Sequence, residues 1–322
     1  MTGVAQDEVA EINQAVGRRW QSLDSLLPEP GGLPEGCLSP LVAAGHHGRP
    51  TGLAVCSHRH VPADSLAQTW NAATMFALTM RLGEPDTLAA ADDLLAQWRD
   101  HLAGLPGAAA DDTAAVVEWP ARDVTGVLAL LRHGLQPFAV IAARPAGRPT
   151  PPEGPHPAPG LVIREAASSD LDVVTDMEVG VIRYDAHFGG SIPRPATEAL
   201  VRAGTSNSLR RRPAWTWLAE EAGRPVALAV VEPPPESAWI AGMTRPGATA
   251  YLQTMFVRQD QRGGGTGAAL VRHVHDQLDA RGIDVTLLHY AQVNPLSAPF
   301  WSRMGYRPLW TSWESRPAST LR

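Results

Sequence analysis

The stretch that most limits how this 322-residue chain can fold runs from Tyr251 to Gly282. An apolar run, Tyr251 to Val257, reads as a buried strand. Arg262 to Gly267 is a turn in which Gly263, Gly264, Gly265 and Gly267 leave little but backbone. From Thr266 the apolar spacing turns helical, with Leu270, Val274 and Leu278 four residues apart and Val271 beside them. Arg281-Gly282 supplies a cation and a glycine at the expected helix end. A strand that feeds a glycine turn opening a helix is a place to hold phosphate. The N–H groups of a first helical turn lack internal partners, and the dipole there is positive. Glycine lets a ligand approach that backbone closely.

The rest of the chain alternates in the same way. Residues 1–24 carry an amphipathic helix, with Val9, Ile12, Val16 and Trp20 at helical spacing. Leu38–Ala44 and Gly52–Val61, separated by Gly45-His-His-Gly48, predict a hairpin. Asn71–Met80 predicts a strand, Asp86 to Leu105 a helix with Asp86 as N-cap, Ala114–Trp119 a strand, Val124–Arg132 a short helix and Phe138–Ala143 a strand. Arg144 to Gly160 carries seven prolines and predicts an extended linker. Then come a strand at Leu161–Arg164, a helix from Ser169-Asp170 to Tyr184, an irregular loop, and a helix from Ala196. A hairpin (Trp215–Ala219, Val226–Val231) leads to the strand Ala248–Val257 and the helix Thr266–Arg281. Asp284–Tyr290, Ser297–Met304 and Arg307–Trp313 predict a strand, a short helix and a last strand.

This order contains a repeat. Strand, helix, strand, short helix, Gly134-Leu-Gln-Pro137, strand in the first half matches strand, helix, strand, short helix, Gly305-Tyr-Arg-Pro308, strand in the second. The expected organisation is two related domains, 1–143 and 161–322, joined by the linker 144–160. Where the second copy has Arg262–Gly267, the first has Arg81-Leu-Gly-Glu-Pro-Asp86. One glycine, two acids and a proline do not make the same anion cradle, so phosphate chemistry is expected only in the second half.

Composition narrows the function. The net charge of −6 argues against a broad nucleic-acid surface, which needs a basic stripe. The chain has no lysine, which excludes a Walker-type phosphate loop and a lysine Schiff base. Cys37 and Cys56 make no disulfide framework, no signal-peptide core is seen, and no apolar run is long enough for a membrane span. A cytoplasmic protein is expected. Cys56-x-His58-x-His60 would place three ligands on one strand face, but no fourth is evident, and no metal is expected. Gly263-x-Gly265-x-x-Ala268 with Asp284 superficially fits a dinucleotide fingerprint. Its acid belongs at the end of the next strand, however, and Asp284 begins one.

Arg262-x-x-Gly265-x-Gly267, between a strand ending at Val257 and a helix, resembles the coenzyme A signature of GCN5-related N-acetyltransferases. Ile163-Arg-Glu-Ala166 with Ser169-Asp170-Leu171, and Asn294…Ser297-Ala-Pro-Phe-Trp301-Ser-Arg-Met-Gly-Tyr306, resemble further family segments. The resemblance covers about residues 160–315. It implies an α/β fold with a mixed sheet, as two tandem acyl-CoA N-acyltransferase-like domains with the first degenerate. It implies acetyl transfer from acetyl-CoA, or another acyl-CoA, to a small-molecule or peptide amine. No nucleic-acid or membrane partner is expected, and a homodimer is compatible with the pattern.

The same resemblance implies roles for residues. Backbone N–H groups of Gly263, Gly264, Gly265, Thr266, Gly267 and Ala268, with Arg262, would hold the pyrophosphate. Met255, Phe256 and Val257 would supply backbone to the thioester and pantetheine where the sheet splays, with Asn294, Ser297 and Trp301 nearby. Trp301 stands where the family carries an acidic Tyr, and an indole N–H is no proton source near neutral pH. Tyr290, Ser297 and His289 are the catalytic candidates; His187, Asp185 and Glu178 are further candidates for the base. Tyr184, Asp185, His187 and Phe188 would shape the acceptor site. The rival expectation is an inactive acyl-CoA-binding sensor or scaffold.

Overall fold

The computed structural model describes residues 6–32, 40–45, 48–149 and 159–322. The first half supplies α1 (Gln6–Leu23), β1 (Leu41–Ala44), β2 (Pro50–His60), β3 (Thr74–Leu82), α2 (Thr87–Ala103), β4 (Thr113–Pro120), α3 (Val124–Arg132) and β5 (Gln136–Pro145). The second supplies β6 (Val162–Glu165), α4 (Leu171–Ala186), α5 (Thr197–Ser208), β7 (Thr216–Glu221), β8 (Arg224–Glu232) and α6 (Ala238–Ala241). It continues with β9 (Thr249–Val257), α7 (Thr266–Ala280), β10 (Val285–Ala291), α8 (Ser297–Arg303) and β11 (Arg307–Ser315).

The alternation read from apolar spacing is present, with local differences. β3 starts at Thr74 rather than Asn71, whose side chain instead donates to Ala67 O at 2.7 Å. Asp86 stands at the N-cap of α2, but its side chain makes no capping bond. Tyr184 and Asp185 belong to the last turn of α4, not to a loop. The single turn α6 was not anticipated, being too short to show a period. Expectations for Cys37, Leu38, His46, His47 and residues 150–158 of the linker fall outside the described residues, and β5 already takes in residues 144–145.

The strands join in one sheet, ordered β1-β2-β3-β4-β11-β5-β10-β9-β8-β7-β6. β3 with β4 and β9 with β10 are parallel, each pair spanned by a long helix, α2 or α7. The other pairs are antiparallel. The halves do not form two closed sheets side by side. Each sends its last strand into the other. β11 pairs with β4, β5 pairs with β10, and β5 and β11 pair at the centre. Periodicity defines a strand but not its partner, so the exchange is invisible in the apolar spacing.

Side chains lock the exchange. Trp20 of α1 meets Trp310 of β11 edge-on at 5.1 Å, in a core shared with Ile141 and Leu287. Arg144 of β5 donates through both Nη atoms to Asp279 of α7, at 3.0 and 3.1 Å. Asp24 accepts two hydrogen bonds from Arg307, at 2.6 and 2.7 Å. Burial alone would raise the Asp24 pKa. The Arg307 hydrogen bonds, the Leu26 N–H and the charges of Arg307 and Arg122 outweigh it and hold the carboxyl below its usual range. Its stabilising contribution is therefore present above the unfolded carboxylate range and is lost as pH falls through the folded value, below 3.8. Replacing Asp24 by Ala strands Arg307 in a half-buried site. It is expected to cost about 3 kcal/mol in urea unfolding at neutral pH, and much less at a pH where Asp24 is already protonated. Because the sheet is continuous, full-length protein is expected to unfold in one transition by circular dichroism and fluorescence alike.

Candidate functional site

The site begins where two parallel strands part. β9 and β10 pair only at Thr249–Val285, Ala250–Thr286 and Tyr251–Leu287. Beyond that point β10 stays on β5 as far as Ala291, while β9 stays on β8 as far as Val257. A bulge drives the divergence. Val231 pairs with Leu252 and Val230 with Thr254, leaving Gln253 as the extra residue. A bulge bends its strand and re-aims the side chains after it. Leu252 packs on the α7 side of the sheet, and so do Met255 and Val257. Phe256 turns instead to the α4 core, and the Thr254 hydroxyl reaches Glu178 at 3.4 Å.

The glycine turn sits at the open end of this wedge. Gly263 and Gly265 have φ of +84° and +87°, the left-handed region that costs a residue with a Cβ about 1–2 kcal/mol. Gly265 is the N-cap of α7. Gly267 answers to packing: a Cβ there would lie 3.1 Å from Val257 Cγ2 and 3.3 Å from Met255 Cε. Arg262 donates from Nε to Val257 O at 3.1 Å and lays its guanidinium over the Tyr184 ring at 4.6 Å. Its counterpart in the first half, Arg81, is buried, donates to Met80 O at 3.1 Å and lies over Trp20 at 5.2 Å.

The wedge opens into a cavity of about 1270 Å³. Arg262, Gly263, Gly265, Gly267 and Ala268 form one end, with Met255, Phe256 and Val257 beside them; Gly264 and Thr266 stand outside the wall. Trp301 is buried on α8 and packs edge-on against Tyr306 at 5.2 Å. Asn294 accepts the Leu296 N–H at 3.1 Å and donates to Asp185 at 3.3 Å, which ties α4 to the loop before α8. Ser297 and Tyr290 also face the cavity. Of the four expected acceptor residues, Tyr184 and Asp185 line it, whereas His187 and Phe188 lie outside the wall. His187 is exposed with Nδ1 at 2.9 Å from Arg183 O, and Phe188 packs on Tyr184 at 5.3 Å. α4 ends at Ala186, and His187 and Phe188 belong to the turn that follows, which carries them off the wall lined by Tyr184 and Asp185.

Burial sets the ionisation of the cavity wall. Glu178 is only 7% exposed, and desolvation pushes its carboxyl up to about 7 against the opposing hydrogen bonds of Thr205 and Thr254. Asp185 is raised by burial, partly offset by Asn294. His289 is pushed down to about 4 by burial, so it is neutral at pH 7, with Nδ1 at 3.1 Å from the Tyr251 hydroxyl. Tyr290 is raised by burial and keeps its proton. Other wall residues were not singled out from the sequence. Trp239 packs edge-on against Tyr251 at 5.0 Å and donates to Glu232 at 2.8 Å. Ser312 and Glu314 come from the exchanged strand β11, and Glu118 from β4 beside it. Only the alternation along β4 and β11 hinted that these shared a face.

Other proteins resemble this chain in part of its sequence and in its fold. Residues 186–306 match the acetyltransferase (GNAT) family. That family implies acyl transfer from an acyl-CoA to an acceptor. The matched segment takes in the turn, α7 and α8, but leaves Glu178, Tyr184 and the whole first half outside it. A GCN5-related N-acetyltransferase from Sphaerobacter thermophilus is similar over 97% of this chain and 91% of its own, with a TM-score of 0.54 at 16% identity. One from Kribbella flavida covers 98% of this chain and 95% of its own, with a TM-score of 0.45 at 16% identity. No curated protein matches the chain by sequence. The Sphaerobacter likeness is one of fold, and it extends over both halves. Within that fold the glycine turn of this chain depends on Gly267. Gly267→Val is expected to cost about 1–3 kcal/mol in thermal or urea unfolding, because the new methyls meet Val257 and Met255.

Proposed function

We propose that the chain is an N-acyltransferase whose reacting centre lies in the second half. The observation that carries this reading is the wedge between β9 and β10, with the glycine-capped N-terminus of α7 at one end and a neutral-range carboxyl, Glu178, in its wall. An acyl-CoA would supply the activated thioester. Backbone N–H groups of Gly263 to Ala268, with Arg262, would hold its pyrophosphate; Arg262 must then leave the Tyr184 ring. Met255 to Val257 offer strand backbone to the thioester carbonyl, the oxygen that gains charge in the reaction. Asn294, Ser297 and Trp301 flank the path of the pantetheine.

The chemistry needs a proton removed and a proton returned. The amine nitrogen attacks the carbonyl carbon, the carbon–sulfur bond breaks, and the thiolate leaves. Glu178 is the best placed base, because a group near pH 7 is ionised often enough and still binds a proton well. His289 is the weaker choice, being neutral down to about pH 4 and engaged by Tyr251. Tyr290 carries a protonated hydroxyl at the wedge and takes the role of acid that Trp301 lacks; Ser297 stands near. The first half is read as a related copy that has lost its cradle, because the Arg81 charge is spent inside the core. The second reading, an acyl-CoA sensor, draws on Trp301 alone.

Thiol release from acetyl-CoA across an amine panel separates the two, since a sensor binds acetyl-CoA and releases no thiol with any amine. Gly265→Glu is expected to abolish CoA binding in calorimetry, while Glu84→Gln in the first-half turn leaves it unchanged. Equal losses would overturn the one-cradle reading. For Glu178 as base, kcat/KM rises about tenfold per pH unit below about 7 and then levels. Glu178→Gln is expected to lower kcat/KM by roughly 10²–10⁴ and to remove that limb of the profile.

A further inference from the structure

The cavity does not stop at the second half. A cross-strand row leads from the wedge into the first half: Ala291 pairs with Ala139, Ala139 with Ser312, and Ser312 with Glu118. All four residues line the cavity. At ~4.8 Å per strand, the row places Glu118 roughly 14 Å from the wedge. The loop after α4 also ties the second half to the first. Ile192 N donates to Thr69 O at 2.7 Å, and Arg194 pairs with Asp112 at 2.9 Å.

The two ends of the row differ in what they lack. At the wedge, Tyr290 is 9% exposed, faces the cavity, and its hydroxyl has no hydrogen-bond partner among the described residues. The hydroxyl is open to the cavity, where a ligand can reach it. At the far end, the Glu118 carboxylate opens onto the cavity and accepts from the Ser312 hydroxyl at 2.7 and 2.9 Å. It forms no ion pair among the described residues. Its neighbour Glu314 is paired with Arg316 at 2.9 Å, and that guanidinium lies over Phe138 at 5.2 Å. Arg59, also in the wall, is directed to Met75 Sδ at 3.4 Å. Glu118 is exposed where it faces the cavity, and the protein atoms lining that cavity raise its carboxyl by desolvation, against the Ser312 bond. A carboxylate in such a place gains most from a cation. Two tryptophans, Trp70 and Trp239, are 37% and 61% exposed yet line the cavity, which suits an alkyl chain lying between the two ends.

We propose that the acceptor is a long diamine or polyamine, with one amino group reacting at the wedge and a second, protonated one held by Glu118 of the first half. This rests on the acyltransferase reading for its first amino group. The first half then selects the acceptor, and its own cradle is not needed.

The test compares diaminooctane, diaminopropane and octylamine as acceptors in thiol release, and measures diaminooctane binding to the CoA-loaded protein by calorimetry. Wild type is expected to prefer diaminooctane over both others by about tenfold or more in kcat/KM, the scale of one charged contact. Glu118→Gln keeps the Ser312 hydrogen bond but not the charge. It is expected to bring the diaminooctane-to-octylamine ratio close to one and to weaken diaminooctane binding about tenfold, with melting temperature and CoA affinity unchanged. Glu314→Gln, already neutralised by Arg316, is expected to shift the ratio less. Equal use of diaminooctane and octylamine, or a preference that survives Glu118→Gln, overturns the proposal. Glu118-dependent binding of diaminooctane without thiol release would overturn the acyltransferase reading and leave the second-cation site standing. No binding and no turnover of diaminooctane would overturn the site itself.

Discussion

The exchange of last strands between the two halves is the constraint on which the rest of this structure depends. Because β5 sits between β10 and β11, neither half can complete its sheet alone. The cross-ties fall where the exchange needs them. Arg144 reaches Asp279 from β5 to α7, and Asp24 receives Arg307 at the start of β11. Both pairs are charged contacts taken partly out of water, where a matched partner is needed more than it is worth in net stability. The tryptophan pair of α1 and β11 adds apolar area at the same seam.

The seam also shapes the cavity. A parallel pair, β9 and β10, can part only if each keeps another neighbour. β8 serves β9 on one side, and the exchanged β5 serves β10 on the other. Gln253 supplies the bulge that sets the angle. The wedge so formed is walled by both halves, and its polar groups are removed from bulk water. Glu178 near 7 and His289 near 4 are both outcomes of desolvation, in opposite directions because one group is charged when deprotonated and the other when protonated.

The local pieces were legible in the chain. Gly263 and Gly265 adopt the left-handed conformations that a glycine turn suggests, and the helix from Thr266 follows its apolar spacing. The repeat of elements is present in order. Arg81–Asp86, without a row of glycines, folds as an ordinary strand-to-helix connection whose arginine turns inward. Other features were not legible. His187 and Phe188 are two and three residues past Asp185, yet leave the cavity wall. Glu118 and Ser312 are 194 positions apart and meet only through strand pairing.

Sequence by itself determined where helices, strands and the phosphate-type turn lie, because those follow from spacing within about one or two turns of chain and from the conformational freedom of glycine. Only the tertiary structure decided which strands are neighbours, and therefore that a carboxylate of the first half faces the same cavity as the turn of the second. Strand pairing is a choice among backbone partners with nearly identical hydrogen-bonding groups. That choice is settled by long-range packing, here of Trp20 on Trp310 and Arg144 on Asp279, which no short window of sequence contains.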